Sequence, residues 1–132
     1  MIPFSDPHGS YQAHREEIEQ AIRRVLDSGW YVLGKEVESF EKEFAYFHHP
    51  DFHATGVGNG TDAIALALRS LDLGEGDEVV TVSHTAVATV AGIEQAGCSP
   101  AFADIDLLTR CLSPDSLEAR ISERTKAIMP VH

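Results

Sequence analysis

Val57-Gly58-Asn59-Gly60-Thr61-Asp62-Ala63, residues 57–63, joins a short extended run to a helical one. Phe52 to Val57 reads as a strand. Gly58 and Gly60 allow a tight turn with close backbone approach. From Thr61 to Leu71 the chain carries Ala63, Ile64, Ala65, Leu66, Ala67 and Leu68, which predicts a helix apolar on nearly all sides and therefore deeply buried. The first N–H groups of a helix lack intrahelical partners and carry the positive end of its dipole. The stretch therefore predicts a phosphate site, with the N–H groups of Thr61 and Asp62 turned outward and the Thr61 hydroxyl as an extra donor. It has neither the lysine of a Walker loop nor the spacing of a dinucleotide fingerprint. The same residues also read as an ordinary glycine-rich turn, with Thr61 or Asn59 capping the helix.

Downstream, strand and helix alternate. Gly74 to Asp77 is a turn, Glu78 to Val82 a strand and Thr85 to Ala96 a helix. Pro100 to Ala103 is a strand. Pro114 to Ile121 is a short helix with Ser113 as its N-cap, and Ala127 to Val131 is a last strand. This alternation predicts an α/β fold with a mostly parallel sheet. No helix follows the last strand here, so one of its faces is expected to be uncovered. Upstream, an irregular lead precedes a helix from Tyr11 to Leu26, which Asp27-Ser28-Gly29 ends. Trp30 to Gly34 is an apolar loop. A second helix, Lys35 to Phe47, spaces Val37, Phe40, Phe44 and Phe47 by threes and fours. Residues 1–50 thus form an N-terminal helical segment and residues 51–132 an α/β domain.

The net charge of −11 sets the chain against nucleic-acid backbones and anionic membranes. It does not exclude a phosphorylated cofactor, because a few aimed N–H groups suffice. Met1 to Gly9 has no signal-peptide pattern, and the uncharged stretch Val79 to Ile93 is too short and polar to span a membrane. Cys98 and Cys111 read as reduced thiols, and the simplest location is the cytoplasm. Val82-Ser83-His84-Thr85-Ala86 ends a strand where open α/β sheets place ligands. It also reads as a surface histidine beside a Ser83 or Thr85 helix cap. Asp104 and Asp106 fit turn chemistry better than an acid–base pair. His48, His49 and His53 have no metal-ligand spacing, so no metal is expected. Lys35, Lys42 and Lys126 are the only lysines, and Lys42 and Lys126 lie in polar settings unlike that of an imine-forming amine. No catalytic residue is assigned.

In order, these segments resemble the fold-type-I, pyridoxal-phosphate-dependent nucleotide-sugar aminotransferases of the DegT/StrS type. The carrying residues are Ile2-Pro3-Phe4, Leu26 to Gly34, Val37 with Phe40-Glu41 and Phe44-Ala45, Gly56 to Ile64 and Gly74 to Val79. They continue through His84 to Thr89 and Phe102 to Asp106, and close with Thr125 to His132. The resemblance implies an incomplete fold-type-I large domain, its sheet preceded by two helices. It implies pyridoxal 5'-phosphate, with Gly60, Thr61 and Asp62 at the phosphate and His84 and Ala86 against the ring. Many relatives carry an aromatic residue where Ala86 stands, which makes His84 a candidate substitute and hints at the branch acting on 3-keto sugars. Trp30 and Tyr31 would line the substrate entrance near a partner subunit. The partners implied are a nucleotide-sugar substrate, an amino-acid donor and a second copy in a homodimer. The family's Schiff-base lysine, the aspartate that meets the pyridine nitrogen and the small C-terminal domain are expected beyond His132, so this chain alone is expected to be inactive. The alternative is a non-enzymatic relic or phosphate-binding α/β module. A flavodoxin-like protein is disfavoured by the two helices ahead of the first strand.

Overall fold

A computed structural model describes residues 4–131, and the chain divides into two compact units, residues 1–56 and 57–132. The Ile2-Pro3 and His132 parts of the sequence pattern lie outside the described residues.

The first unit is helical. Helix α1 (Pro7–Ala13) starts with proline, which loses no hydrogen bond at that position, and Asp6 caps it by accepting from the Gly9 N–H at 2.8 Å. The single helix expected from Tyr11 is in fact two. At His14 (φ −119°, ψ 18°) the backbone leaves helical geometry, and α2 (Arg15–Ser28) begins. Gly29, at φ 66°, ends α2 as expected. Helix α3 runs Lys35–His48, and Phe40, Phe44 and His48 stack along one side with ring centroids 5.6 and 4.7 Å apart. The apolar faces are real but little covered: α2 has no buried residue, and Ala45 is the only one in α3.

Phe52 to Val57 is not a strand. No neighbouring strand offers it a ladder among the described residues, and its Gly56 N–H donates instead to the Glu41 carboxylate at 2.6 Å. Strand conformation without a pairing partner has nothing to hold it.

The second unit is α/β. Helix α4 (Gly60–Ser70) leads to β1 (Glu78–Val82), α5 (Val87–Ala96), β2 (Ser99–Ala103), α6 (Pro114–Arg120) and β3 (Thr125–Ile128). The three strands are parallel in the order β2-β1-β3. Central β1 is the axis of the core, because its alternating side chains meet cover on both faces. On one face Val79 packs with Leu68, Ile93, Ala96 and Cys98, drawn from α4, α5 and the turn into β2. On the other, Val80 packs with Ala101 and Ala103, with Leu112 and Leu117 against them. Thr81 is fully buried and its hydroxyl donates to the Met129 carbonyl at 2.9 Å, tying the centre of the sheet to its β3 edge.

Helix α4 is buried on one side rather than all round. Ala65 and Leu68 are covered while Leu66 is half exposed, because α5 packs on one side of the helix and Leu68 joins the core cluster with Val79 and Ile93. Strand β3 has an uncovered face: Ala127 and Met129 turn to the core and Ile128 is 46% exposed.

Candidate functional site

The first turn of α4 carries the sequence's phosphate signal. Asn59 is its N-cap in extended geometry (φ −165°, ψ 174°), and its Oδ1 accepts from the Asp62 N–H at 2.9 Å. The helix ladder starts with the Ala63 N–H on the Asn59 carbonyl at 3.1 Å. Thr61 is therefore not the cap, and the Asp62 N–H, expected to be open, is occupied. The physical reason is local: an Asn side chain at the N-cap reaches the third helical N–H without strain. Among the described residues no acceptor meets the N–H of Gly60 or Thr61, or the Thr61 hydroxyl. Gly60 is exposed, and a Cβ there would meet nothing within 4 Å. Two orphan backbone donors, a hydroxyl and open space at a helix start suit an anion such as a phosphate group.

The second segment, Ser83 to Ala86, joins β1 to α5. Ser83, His84 and Ala86 are exposed and Thr85 is half-buried, with its Oγ1 2.9 Å from that of Thr89. Helix α5 starts two residues later than expected. Its N-cap is Ala86, with no side-chain cap, so neither Ser83 nor Thr85 serves. Gly60, Thr61 and Asp62 share one helical turn, and His84 and Ala86 share one loop. The two helices that carry them pack closely: a Cβ on Gly92 of α5 would lie 2.7 Å from Ile64 Cβ and 3.0 Å from the Thr61 carbonyl oxygen. Among the described residues no hydrogen bond joins the Ser83–Ala86 loop to the α4 turn.

Trp30 and Tyr31 belong to the first unit. They border an open hollow of about 650 Å³, whose other lining includes Arg24, Ser28, Lys35 and Val37. The Trp30 indole N–H donates to the Val32 carbonyl at 2.7 Å, and Arg24 forks onto Glu36 at 2.7 and 3.1 Å. Leu33 holds a left-handed backbone (φ 51°). Sequence reasoning missed the Arg24–Glu36 pair. Nothing in the spacing of residues twelve apart on two helices announces it.

The remaining candidates read as structure. Asp106 Oδ1 accepts from the N–H groups of Thr109 (2.8 Å) and Leu108 (3.0 Å), and the Thr109 N–H foremost holds its carboxyl below the usual range. That is turn chemistry. No cluster of metal-ligating side chains occurs among the described residues. Lys42 pairs with Glu38 at 2.5 Å, Lys126 donates to the Glu123 carbonyl at 3.0 Å, and all three lysines are exposed. Cys98 is buried, which pushes its thiol pKa up, and no helix is long and apolar enough to cross a membrane among the described residues.

Comparison with known proteins gives this geometry its setting. Residues 12–132 match the DegT/DnrJ/EryC1/StrS aminotransferase family. The chain is 43% identical, over all its length and 36% of the relative's, to the dTDP-3-amino-3,6-dideoxy-alpha-D-galactopyranose transaminase of Aneurinibacillus thermoaerophilus. Among solved structures, S. venezuelae DesV superposes with a TM-score of 0.93 at 44% identity, over 99% of this chain and 35% of that one. NtdA of Bacillus subtilis, solved with bound cofactor PMP, gives 0.84 at 34% identity, over 91% of this chain and 27% of that one. The α/β unit is thus part of a fold-type-I domain, and the chain spans about a third of the length of the relatives it matches. On its sequence and its fold alike, the chain belongs to the DegT/DnrJ/EryC1/StrS aminotransferase family.

Proposed function

We propose that this chain is the N-terminal part of a pyridoxal-phosphate-dependent aminotransferase that transfers an amino group to a nucleotide-linked keto sugar, with the keto group at C3. The observation that carries the reading is its whole-length similarity to a 3-amino-sugar transaminase. A relative of like fold that binds PMP, the amino form of the same cofactor, supports the choice of cofactor. In this reading residues 51–132 open the cofactor-binding large domain, and residues 1–50 are a helical segment ahead of it. The complete protein is a cytoplasmic homodimer, and the Schiff-base lysine lies outside these residues.

When bound, pyridoxal phosphate supplies a reactive aldehyde and an electron-withdrawing ring for amino-group exchange. The work of this chain is binding and orientation. Gly60, Thr61 and Asp62 form the phosphate turn, where backbone donors and the helix dipole favour a dianion without any lysine. His84 and Ala86 face the ring. The small Ala86 would leave room there, and the imidazole of His84 would be the candidate to take the place of an aromatic stack. Trp30 and Tyr31 give the sugar nucleotide an apolar wall, and the Tyr31 hydroxyl adds a hydrogen-bonding tip.

The experiment is an amino-transfer assay on the complete protein carrying this sequence, with pyridoxal phosphate, an amino-acid donor and matched 3-keto and 4-keto nucleotide sugars. Turnover with the 3-keto sugar is the expected result. Turnover confined to the 4-keto sugar removes the subclass and keeps the enzyme. Phosphate binding with no transfer on either sugar favours the non-catalytic binding module.

A further inference from the structure

The loop from Gly29 to Gly34 joins α2 to α3 and is pinned from within. The Ser28 hydroxyl donates to the Val25 carbonyl at 2.7 Å and accepts from the Trp30 N–H at 3.0 Å. The Trp30 indole N–H donates to the Val32 carbonyl at 2.7 Å. At Gly34 the chain closes on itself, for a Cβ there would lie 2.9 Å from the Trp30 carbonyl oxygen. Two features of the loop are nevertheless unfavourable in isolation. Leu33 holds φ 51°, a region disfavoured for any residue with a Cβ. Trp30, Tyr31, Val32 and Leu33 stand exposed in a row, and Trp30 and Tyr31 border the hollow. Apolar side chains gain by folding into such a hollow, and Leu33 gains by leaving the left-handed region.

A brace at the base of the loop opposes that collapse. Arg24, one turn before the end of α2, forks onto Glu36 in the first turn of α3 at 2.7 and 3.1 Å. Among the described residues no other hydrogen bond or ion pair joins the two helices. Two parallel N–H···O bonds fix the orientation of both groups as well as their distance. The fork thus sets the spacing of the loop's two ends. A strained backbone persists only where its surroundings over-determine it.

We propose that the Arg24–Glu36 fork is a positioning pair that holds Trp30 and Tyr31 at the mouth of the hollow, in the conformation that takes the sugar nucleotide. The inference rests on the reading of Trp30 and Tyr31 above and adds two residues to it. Arg24 and Glu36 satisfy each other and act on the ligand through the loop. A loop already ordered loses less freedom on binding. The fork therefore governs affinity for the sugar nucleotide and leaves the amino transfer alone.

The test uses the complete protein carrying this sequence, labelled with 5-fluorotryptophan. The Trp30 fluorine resonance is the one lost in Trp30→Phe, and it reads the loop directly, while steady-state kinetics read the site. Arg24→Gln and Glu36→Gln are each expected to move the Trp30 resonance. Each is also expected to raise KM for the nucleotide sugar by up to about fivefold, the reach of an exposed pair, while kcat and the KM for the amino donor hold. The exchanged pair, Arg24→Glu with Glu36→Arg, is expected to return both readouts toward wild type. A resonance or a KM that the single variants leave in place overturns the positioning role. So does an exchanged pair that behaves no better than the single variants, since the two charges then act separately. A resonance that moves and recovers in a protein that transfers to no nucleotide sugar removes the substrate reading of Trp30 and Tyr31, and the proposal with it. Arg24→Lys keeps the charge and loses the fork, so it decides the matter where a harsher variant fails to fold. A folded Arg24→Lys protein with an unmoved Trp30 resonance overturns the proposal.

Discussion

Thr61 and Gly92 sit at one helix contact and have opposite relations to their surroundings. The Thr61 hydroxyl has no hydrogen-bond partner among the described residues, and it is the side-chain donor that the proposed phosphate site would use. Thr61→Ala is expected to weaken phosphate binding several-fold and to leave the unfolding midpoint almost unchanged. A phosphate titration and a urea melt on the same variant check both halves. The wild-type affinity itself should be millimolar. The dipole contributes about 0.3–2 kcal/mol, and a millimolar site needs only about 4 kcal/mol in all. Gly92 has no spare room. Alanine would gain about 1 kcal/mol of helix propensity, but its Cβ would lie 2.7 Å from Ile64 Cβ and Cγ2. Overpacking costs about 1–3 kcal/mol, and here the obstacle includes the Thr61 carbonyl, which cannot rotate away. Gly92→Ala is therefore expected to lower stability, by up to about 2 kcal/mol once the propensity gain is subtracted. A rise in the urea midpoint would show that α4 and α5 can separate freely.

Among the elements, β1 and β3 are held together at their starts by a side chain. The Glu78 carboxylate accepts from the Thr125 hydroxyl at 2.9 Å, the Ser122 hydroxyl at 3.1 Å and the Arg124 guanidinium at 3.4 Å. Here the strand register slips: Glu78 pairs with Thr125, then Val79 with Ala127. The Thr125 hydrogen bond foremost, then the Ser122 hydroxyl and the Arg124 charge, hold the Glu78 carboxyl below its ordinary range. A carboxyl with a depressed folded pKa stabilises the fold above its unfolded pKa of about 4.3, and the contribution is lost as pH falls through the folded value. Glu78→Gln is expected to melt lower than wild type at pH 7, with the gap narrowing below about pH 4 as the native carboxyl protonates. Melting curves from pH 7 to pH 3 test this. A gap that stays constant with pH would mean the Glu78 contacts act by shape and not by charge.

For the whole molecule, the expectation concerns chemistry beyond these residues. All three lysines are exposed; Lys42 is paired with Glu38 and Lys126 is bonded to a main-chain carbonyl. An imine-forming lysine is activated by a desolvated pocket or a neighbouring cation. A polypeptide of residues 1–132 is therefore expected to show no lysine-dependent absorption band with pyridoxal phosphate and no transaminase activity. A band abolished by replacing one of these lysines would return the reaction centre to this chain.

Local sequence was enough for much of this protein. Glycine and proline positions, caps such as Ser113 and apolar spacing located β1, α3 and α6 to within about two residues, because these signals act over one or two turns. The Gly58-Asn59-Gly60-Thr61 pattern marked the turn into α4 for the same reason, and the ordered set of motifs marked the family. What sequence left open needed partners. Whether Phe52 to Val57 is a strand depends on a neighbouring ladder, and the chain at these residues has none. Whether α4 is buried all round depends on what packs against it, and α5 covers one side, with Leu68 reaching the core around Val79. Asn59 and Thr61 were equal candidates for the cap until backbone geometry put the Asp62 N–H within reach of Asn59 alone. The Glu78 clasp joins residues more than forty positions apart, so no local pattern could carry it. Propensity and turn chemistry are properties of neighbours in sequence; pairing, burial and the choice between two competent hydrogen-bond acceptors are settled only where distant segments meet.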